Sequence, residues 1–362
     1  MHLPPLDVAV YPLDMMADRR HTGRPADLPS PPASLSPVSP SSAATFGALP
    51  NFASLQKAIR RVFRSSTITV RQAERLQGRL YRIFVASLTD GSALVLKCPP
   101  AYNTRLLRHE KHGLETEQKI LQTLRDYTQI PVPQVIKYDS NGVALGSPFL
   151  MMSHIPGRRV SDLMDHLTPS ERQSIQRALG AYVRALTSLS APRFGTVHRV
   201  FAGKGHSSWR EAFLALLEAA LRDGEDMLIT IPYDSIRYYI RRHAHYLEEV
   251  NEPRLVAFHM CEPQNVLLDP LTKKITGLVG FTSVICGDPL MNGGFSDGSD
   301  TFFQGVGERP NRSKGVMARQ WMYSAYRSAV QIVGHHYRPE LGGNETAARR
   351  SLTDALNELA RI

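Results

Sequence analysis

The spacing of apolar residues changes along this chain, and the changes mark its elements. In SLQKAIRRVF, Leu55, Ile59, Val62 and Phe63 recur at helical spacing, which predicts a helix. Runs rich in β-branched and aromatic residues follow. SSTITV, RLYRIFVASL and SALVLK read as strands, and Asp90-Gly91 joins the last two as a hairpin turn. Residues 104–126 read as one long helical stretch interrupted only by Gly113, ended by Ile130-Pro131-Val132-Pro133. A further strand pair brackets Asp139-Ser140-Asn141-Gly142; its second member, SPFLMMSHI, stops at Pro156-Gly157. From residue 160 the spacing is mainly helical, over 169–190, 208–223, 233–250, 315–334 and 344–361. One β-like piece, VLLDPLTKKITGLVGF, turns at Asp269-Pro270 within that part. The expected fold class is α+β. A small β-rich lobe with one long helix (53–150) precedes a larger, mainly helical lobe (151–362), and ligands favour the cleft between such lobes.

Residues 1–52 have a different character. They hold 10 of the 25 prolines, interleaved with serines. Such a segment cannot bury enough apolar surface to offset its ordering entropy, so a disordered tail is expected. Ser30, Ser36 and Ser39 each precede a proline and are candidate phosphorylation sites on what otherwise reads as a spacer.

Charge and cysteine content narrow the function classes. The net charge is +10, and 13 Lys/Arg against 5 Asp/Glu lie between Lys57 and Lys119. That region suits anions, or is simply a solvated basic face. No aromatic-interleaved basic stretch or nucleic-acid motif accompanies it, which argues against nucleic acid as partner. No apolar run is long enough for a membrane span, and the start has no signal-like h-region. Three widely spaced cysteines, Cys98, Cys261 and Cys286, suit a reducing compartment, so a cytoplasmic protein is expected.

Several polar residues stand at informative places. Lys97 ends a predicted strand, and Glu117 lies on the helix after it. Met151 to His154 run into the Pro156-Gly157 break, and FHMCEPQNVLLD and ITGLVGFTSVICGDPL follow in the helical part. In this order and spacing the chain, over about residues 65–295, resembles the aminoglycoside phosphotransferase and choline-kinase-like family, with its protein-kinase-like fold. SPFLM-x-x-x-IPG and IPVPQV look closest to fungal members. The resemblance implies ATP and magnesium as cofactors. It implies that Lys97 holds the α/β-phosphates, Glu117 positions Lys97, and Gly78 lies in the phosphate-covering loop. Backbone groups around Met152 and His154 would meet adenine, and Asn265 would bind metal. The Gly-Asp-Pro aspartate, Asp288, would cap the segment after it.

The same comparison exposes departures. The family's catalytic aspartate precedes its asparagine by five residues. Counting back from Asn265 gives Met260, or Cys261 if a residue is deleted so that His259 aligns. A thioether has no titratable proton, and a neutral thiol is a poor base. Gly280 stands where the magnesium aspartate is expected, and glycine has no side-chain oxygen. RLQGRLYRI has a single glycine where a phosphate-covering loop is usually glycine-rich. Glu262 is a candidate displaced base or metal ligand, or an exposed loop carboxylate. Cys261 with His259 is a candidate nucleophilic pair, or an inert thiol beside a histidine.

Two readings follow. One is a pseudokinase-like protein, impaired in ATP-dependent transfer, whose cleft binds a small molecule, a nucleotide or a protein partner. The other is an active phosphotransferase or pathway enzyme with unorthodox residues. Glu211, Glu218, Asp223, Glu225 and Asp226 either meet a cationic substrate or face water. Trp209 and Phe213 are expected in the core.

Overall fold

The computed structural model describes residues 52–76, 78 and 80–362. The proline-rich tail and its three serines lie outside the described residues.

Five antiparallel strands form the first sheet: β1 (Val70–Leu76), β2 (Arg82–Leu88), β3 (Ala93–Cys98), β4 (Val135–Asp139) and β5 (Phe149–Ser153), in the order β1-β2-β3-β5-β4. Strand alternation sorts side chains onto two faces. Leu94 and Leu96 turn to one face, where Leu55 and Ile59 of helix α1 (Phe52–Phe63) pack. The opposite face carries Leu150 and Met152, packed with Ile120, Leu121 and Leu124 of helix α2 (Gly113–Tyr127). The antiparallel sheet and mixed α+β content agree with the expected fold class.

Two expectations need correction. The β-former run SSTITV is mostly a connector. The strand is Val70–Leu76, paired with β2 along the sheet edge and largely exposed, so hydrophobicity is not what marks it. The Gln56 side chain accepts from the Val70 amide (2.6 Å) and donates to the Ile68 carbonyl (2.7 Å), tying the connector to α1. The stretch 104–126 is not one helix, because α2 starts at Gly113. Tertiary ion pairs take up the residues before it. Arg338 holds the Glu110 carboxylate with both guanidinium arms (2.6 and 2.8 Å), and Arg108 binds Asp223 and Asp226.

The larger part contains α3 (Pro169–Thr187), α4 (Trp209–Asp226), α5 (Tyr233–His243), α6 (Asp300–Val306), α7 (Lys314–Tyr337) and α8 (Glu345–Arg361), with shorter helical turns between them. Most begin on capping side chains, as short polar residues favour. Thr168 and Glu171 form a capping box, and Ser208, Ser299, Ser313 and Asn344 accept amide bonds at the other starts. Six short strands, β6 (Arg158–Arg159), β7 (Gly195–Thr196), β8 (Arg254–Ala257), β9 (Val266–Leu268), β10 (Ile275–Leu278) and β11 (Val284–Gly287), form two small antiparallel sheets, β10-β9-β6 and β7-β11-β8. These hold the 258–265 and 279–283 loops under the first sheet.

Trp209 and Phe213 are fully buried, as expected. The Trp209 indole donates to the Tyr323 hydroxyl (2.6 Å), which donates to Asp288 Oδ2 (2.7 Å). Asp288 also accepts from Arg319 Nε (3.0 Å) and caps Leu290 (3.0 Å). Burial raises its pKa, opposed by Arg319 and Tyr323. The acids of α4 do not simply face solvent: Glu218 and Glu225 pair with Arg237, and Asp223 and Asp226 with Arg108.

α3 and α6 cross backbone to backbone. A Cβ on Gly180 would lie 2.0 Å from the Phe302 carbonyl oxygen, and one on Gly305 would lie 2.0 Å from that of Arg177. Gly180→Ala is therefore expected to destabilise the fold by about 1–3 kcal/mol, despite alanine's better helix propensity. Urea unfolding should show a lower midpoint at unchanged slope.

Candidate functional site

Lys97 lies on β3 with its side chain on the α2 face, and the ion pair with Glu117 follows from that register. Its ammonium sits 2.6 Å from Glu117 Oε2, and both side chains are almost completely buried. Glu117 Oε1 accepts the amide of Phe281 at 3.2 Å. One carboxylate thus links the sheet, through Lys97, to the 279–283 loop of the larger part.

Met152 pairs with Val95, and Leu150 with Lys97, so Met152 lies on the lysine's face of the sheet. Its side chain is buried. The amides of Ser153 and His154 donate to the carbonyls of Gln134 (2.9 Å) and Ala93 (3.2 Å). The His154 amide is thus used by the sheet.

Gly78 is packed tightly. A Cβ there would lie 2.4 Å from the Tyr81 carbonyl oxygen, so the turn between β1 and β2 tolerates only glycine without moving. Tyr81, just before β2, turns inward. The Lys97 ammonium lies 4.8 Å from the Tyr81 ring centroid, and the hydroxyl donates to the Glu110 carbonyl (3.3 Å). Gly113 makes room for it, since a Cβ there would fall 1.9 Å from the Tyr81 oxygen. Burial, then the Glu117 charge, raises the phenol pKa well above its usual value. Nothing in the sequence marked Tyr81. Its direction depends on whether the turn folds toward or away from the cleft.

Asn265 and Gly280 meet, though fifteen residues separate them. The Val279 amide donates to the Asn265 carbonyl (2.9 Å), and the Asn265 side-chain amide donates to the His259 carbonyl (2.9 Å). Gly280 has φ +88°, and a Cβ there would lie 2.8 Å from Asn265 Oδ1. The asparagine carboxamide fills the space into which a side chain at 280 would point. A magnesium ion needs several oxygen ligands in octahedral arrangement. This pair offers one amide oxygen and no carboxylate, so the residues present do not fit that ion.

In the preceding loop Met260 is wholly buried in the core. His259 Nδ1 lies 2.6 Å from Glu262 Oε1, and Gln264 donates to the other oxygen of that carboxylate. Both His259 and Glu262 are partly exposed. The side-chain partner of His259 is thus Glu262. Burial, and then Glu262, push the Cys261 thiol up to about 12, away from a nucleophile's range.

A profile of the phosphotransferase enzyme family matches residues 76–293, and the chain belongs to that family. Two curated proteins share segments with it. The "Altered inheritance of mitochondria protein 9, mitochondrial" of Debaryomyces hansenii is 28% identical over 130 residues, 34% of this chain and 20% of that protein. The "Probable acyl-CoA dehydrogenase IBR3" of Arabidopsis thaliana is 28% identical over 117 residues, 31% of this chain and 14% of that protein. The chain therefore spans a fifth or less of these relatives' lengths.

Among solved structures, a thermostable mutant of aminoglycoside phosphotransferase APH(4)-Ia with AMP-PNP and hygromycin B superposes with a TM-score of 0.60. It is 15% identical, over 85% of this chain and all of that one. A putative fructosamine-3-kinase from Thermobifida fusca gives 0.55 at 17% identity, over 83% and 98%. The kinase-like fold expected from the motifs is thus the fold of this chain. No helix among the described residues is long and apolar enough to cross a membrane.

Burial pushes Cys98 up to about 11 and Cys286 up to about 12. At pH 8 the native thiols are mostly protonated. Alkylation of Cys261 by iodoacetamide should run roughly a thousandfold slower than in the urea-unfolded chain, because reactivity follows the thiolate fraction. Peptide mass spectrometry of timed samples reads this directly.

Proposed function

We propose that this phosphotransferase-family protein keeps the cleft of its fold as a binding site and does not carry out ordinary magnesium-ATP phosphoryl transfer. The observation that carries this reading is Gly280 against Asn265. The position expected to bring a metal carboxylate has no side chain, and the neighbouring carboxamide fills the gap. The catalytic loop supports the same view. Met260 is sealed in the core, Cys261 is a high-pKa thiol, and the Glu262 carboxylate is held within its own loop by His259 and Gln264. Losing members of one catalytic unit is close to abolition, not a modest decrement.

The Lys97–Glu117 pair supports retained binding. It keeps the lysine that the family pattern assigns to phosphates in place on the α2 face of the sheet. Tyr81 modifies this picture, because its ring lies over the ammonium that phosphates would approach. Nucleotide binding, where it occurs, has to move that ring. The chemistry the cleft suits best is a small anionic or nucleotide-like ligand bound without a metal.

Thermal shift measurements with ATP and ADP, with and without magnesium, test the proposal, since a ligand that binds the native state raises its stability. The expected result is a shift that magnesium leaves unchanged, larger in Tyr81→Ala and absent in Lys97→Ala. Gly280→Asp alone is expected to give no turnover against a panel of hydroxylated acceptors, because it combines a left-handed backbone with an occupied side-chain space. Magnesium-dependent transfer in the wild type that Lys97→Ala abolishes would overturn the proposal and favour an active enzyme using Glu262.

A further inference from the structure

His112, Glu115 and His198 converge at the start of α2. His112 precedes the first turn of α2, and Glu115 lies within that turn. His198 comes from the short helical turn Val197–Phe201 of the larger part. One metal-binding atom from each of the three lies within 4.8 Å of the others. Glu115 Oε2 is 2.8 Å from His198 Nδ1 and 3.9 Å from His112 Nδ1. The imidazole rings lie face to face, with centroids 3.6 Å apart. The other Glu115 oxygen is held by Lys119 at 2.7 Å.

We propose that these three side chains form a zinc site that fastens the start of α2 to the 197–201 turn. Two imidazoles and one carboxylate are a donor set typical of zinc with three protein ligands and water in the fourth position. Bonds of about 2.0–2.1 Å in a tetrahedron put ligand atoms roughly 3.3 Å apart, and the two measured separations from Glu115 Oε2 bracket that figure. The stacked rings must fan apart to aim both nitrogens at one ion. His112 can do this, as its side chain is half exposed and precedes the helix. Lys119 fixes the free carboxylate oxygen, the kind of outer contact that orients a ligand. A cavity of about 50 Å³ borders both histidines and is also lined by Thr116, Thr196 and Thr282, which leaves room for the water ligand.

The site adds to the reading of the cleft and does not depend on it. Glu117 lies two residues after Glu115 on the same helix, so an ion here would steady the carboxylate that holds Lys97 and the Phe281 amide. The position of α2 then becomes sensitive to metal supply.

The test uses the full chain, stripped with a chelator and titrated with Zn²⁺ against a chromophoric competitor, with Co²⁺ as a spectroscopic substitute. One equivalent should bind, with Co²⁺ absorption of tetrahedral intensity and a higher Tm. Glu115→Gln and His198→Asn should each weaken binding by at least about tenfold and remove the Tm rise. The paired change His335→Asn with His336→Asn is the control. Those histidines face Glu345 at 3.6 and 3.0 Å elsewhere on the molecule, and their loss should leave binding unchanged. If His198→Asn fails to fold, His112→Asn at its exposed position decides. The proposal is overturned by no retained Zn²⁺, by affinity unaltered in the Glu115 and His112 variants, or by affinity that follows His335 and His336.

Discussion

The position of α2 governs this cleft, and one carboxylate does most to set it. Glu117 meets Lys97 with one oxygen and the Phe281 amide with the other. Moving α2 would leave a buried ammonium and a buried amide without partners, and each carries a large desolvation cost. Other contacts act in the same direction. Glu110 is clamped by Arg338 at the end of α7, and Glu115 reaches His198. The sheet, the helix and the loops below it are therefore held in one arrangement, whatever chemistry the cleft performs.

Within that arrangement the usual division of the fold is uneven. The lysine side is intact and enclosed. In the larger part the Asn265 carboxamide fills the space beside Gly280, and Met260 is buried in the core. The Lys97–Glu117 pair and the 258–265 and 279–283 loops rest on different elements. Tyr81 adds a third element, an aromatic ring packed over the lysine ammonium.

Much of the fold was legible because it rests on periodicity and turn chemistry. The hairpin at Asp90-Gly91, strands β2, β3 and β5 and the long helices α3, α7 and α8 follow from those signals. The misread segments share a cause. β1 is an exposed edge strand whose side chains carry little hydrophobic pattern, and residues 104–112 have helical composition but are diverted into ion pairs with Arg338, Asp223 and Asp226. The meetings of Lys97 with Glu117 and of Asn265 with Gly280 join residues that motif spacing singled out. The use of the His154 amide and the burial of the Cys261 thiol are matters of surroundings, which spacing along the chain does not report.

The sequence by itself determined the α+β order of elements, the lysine and glutamate that would pair, and the absence of a side chain at residue 280. These are properties of residue identity and local spacing. Only the tertiary structure decided that Asn265 fills the gap at Gly280, that His259 pairs with Glu262, and that Tyr81 turns inward over Lys97. It also brought His112 and Glu115 to His198, some eighty residues on. Such contacts depend on how strands register and helices cross, and the energies that choose among them come from burial and desolvation summed over many distant residues.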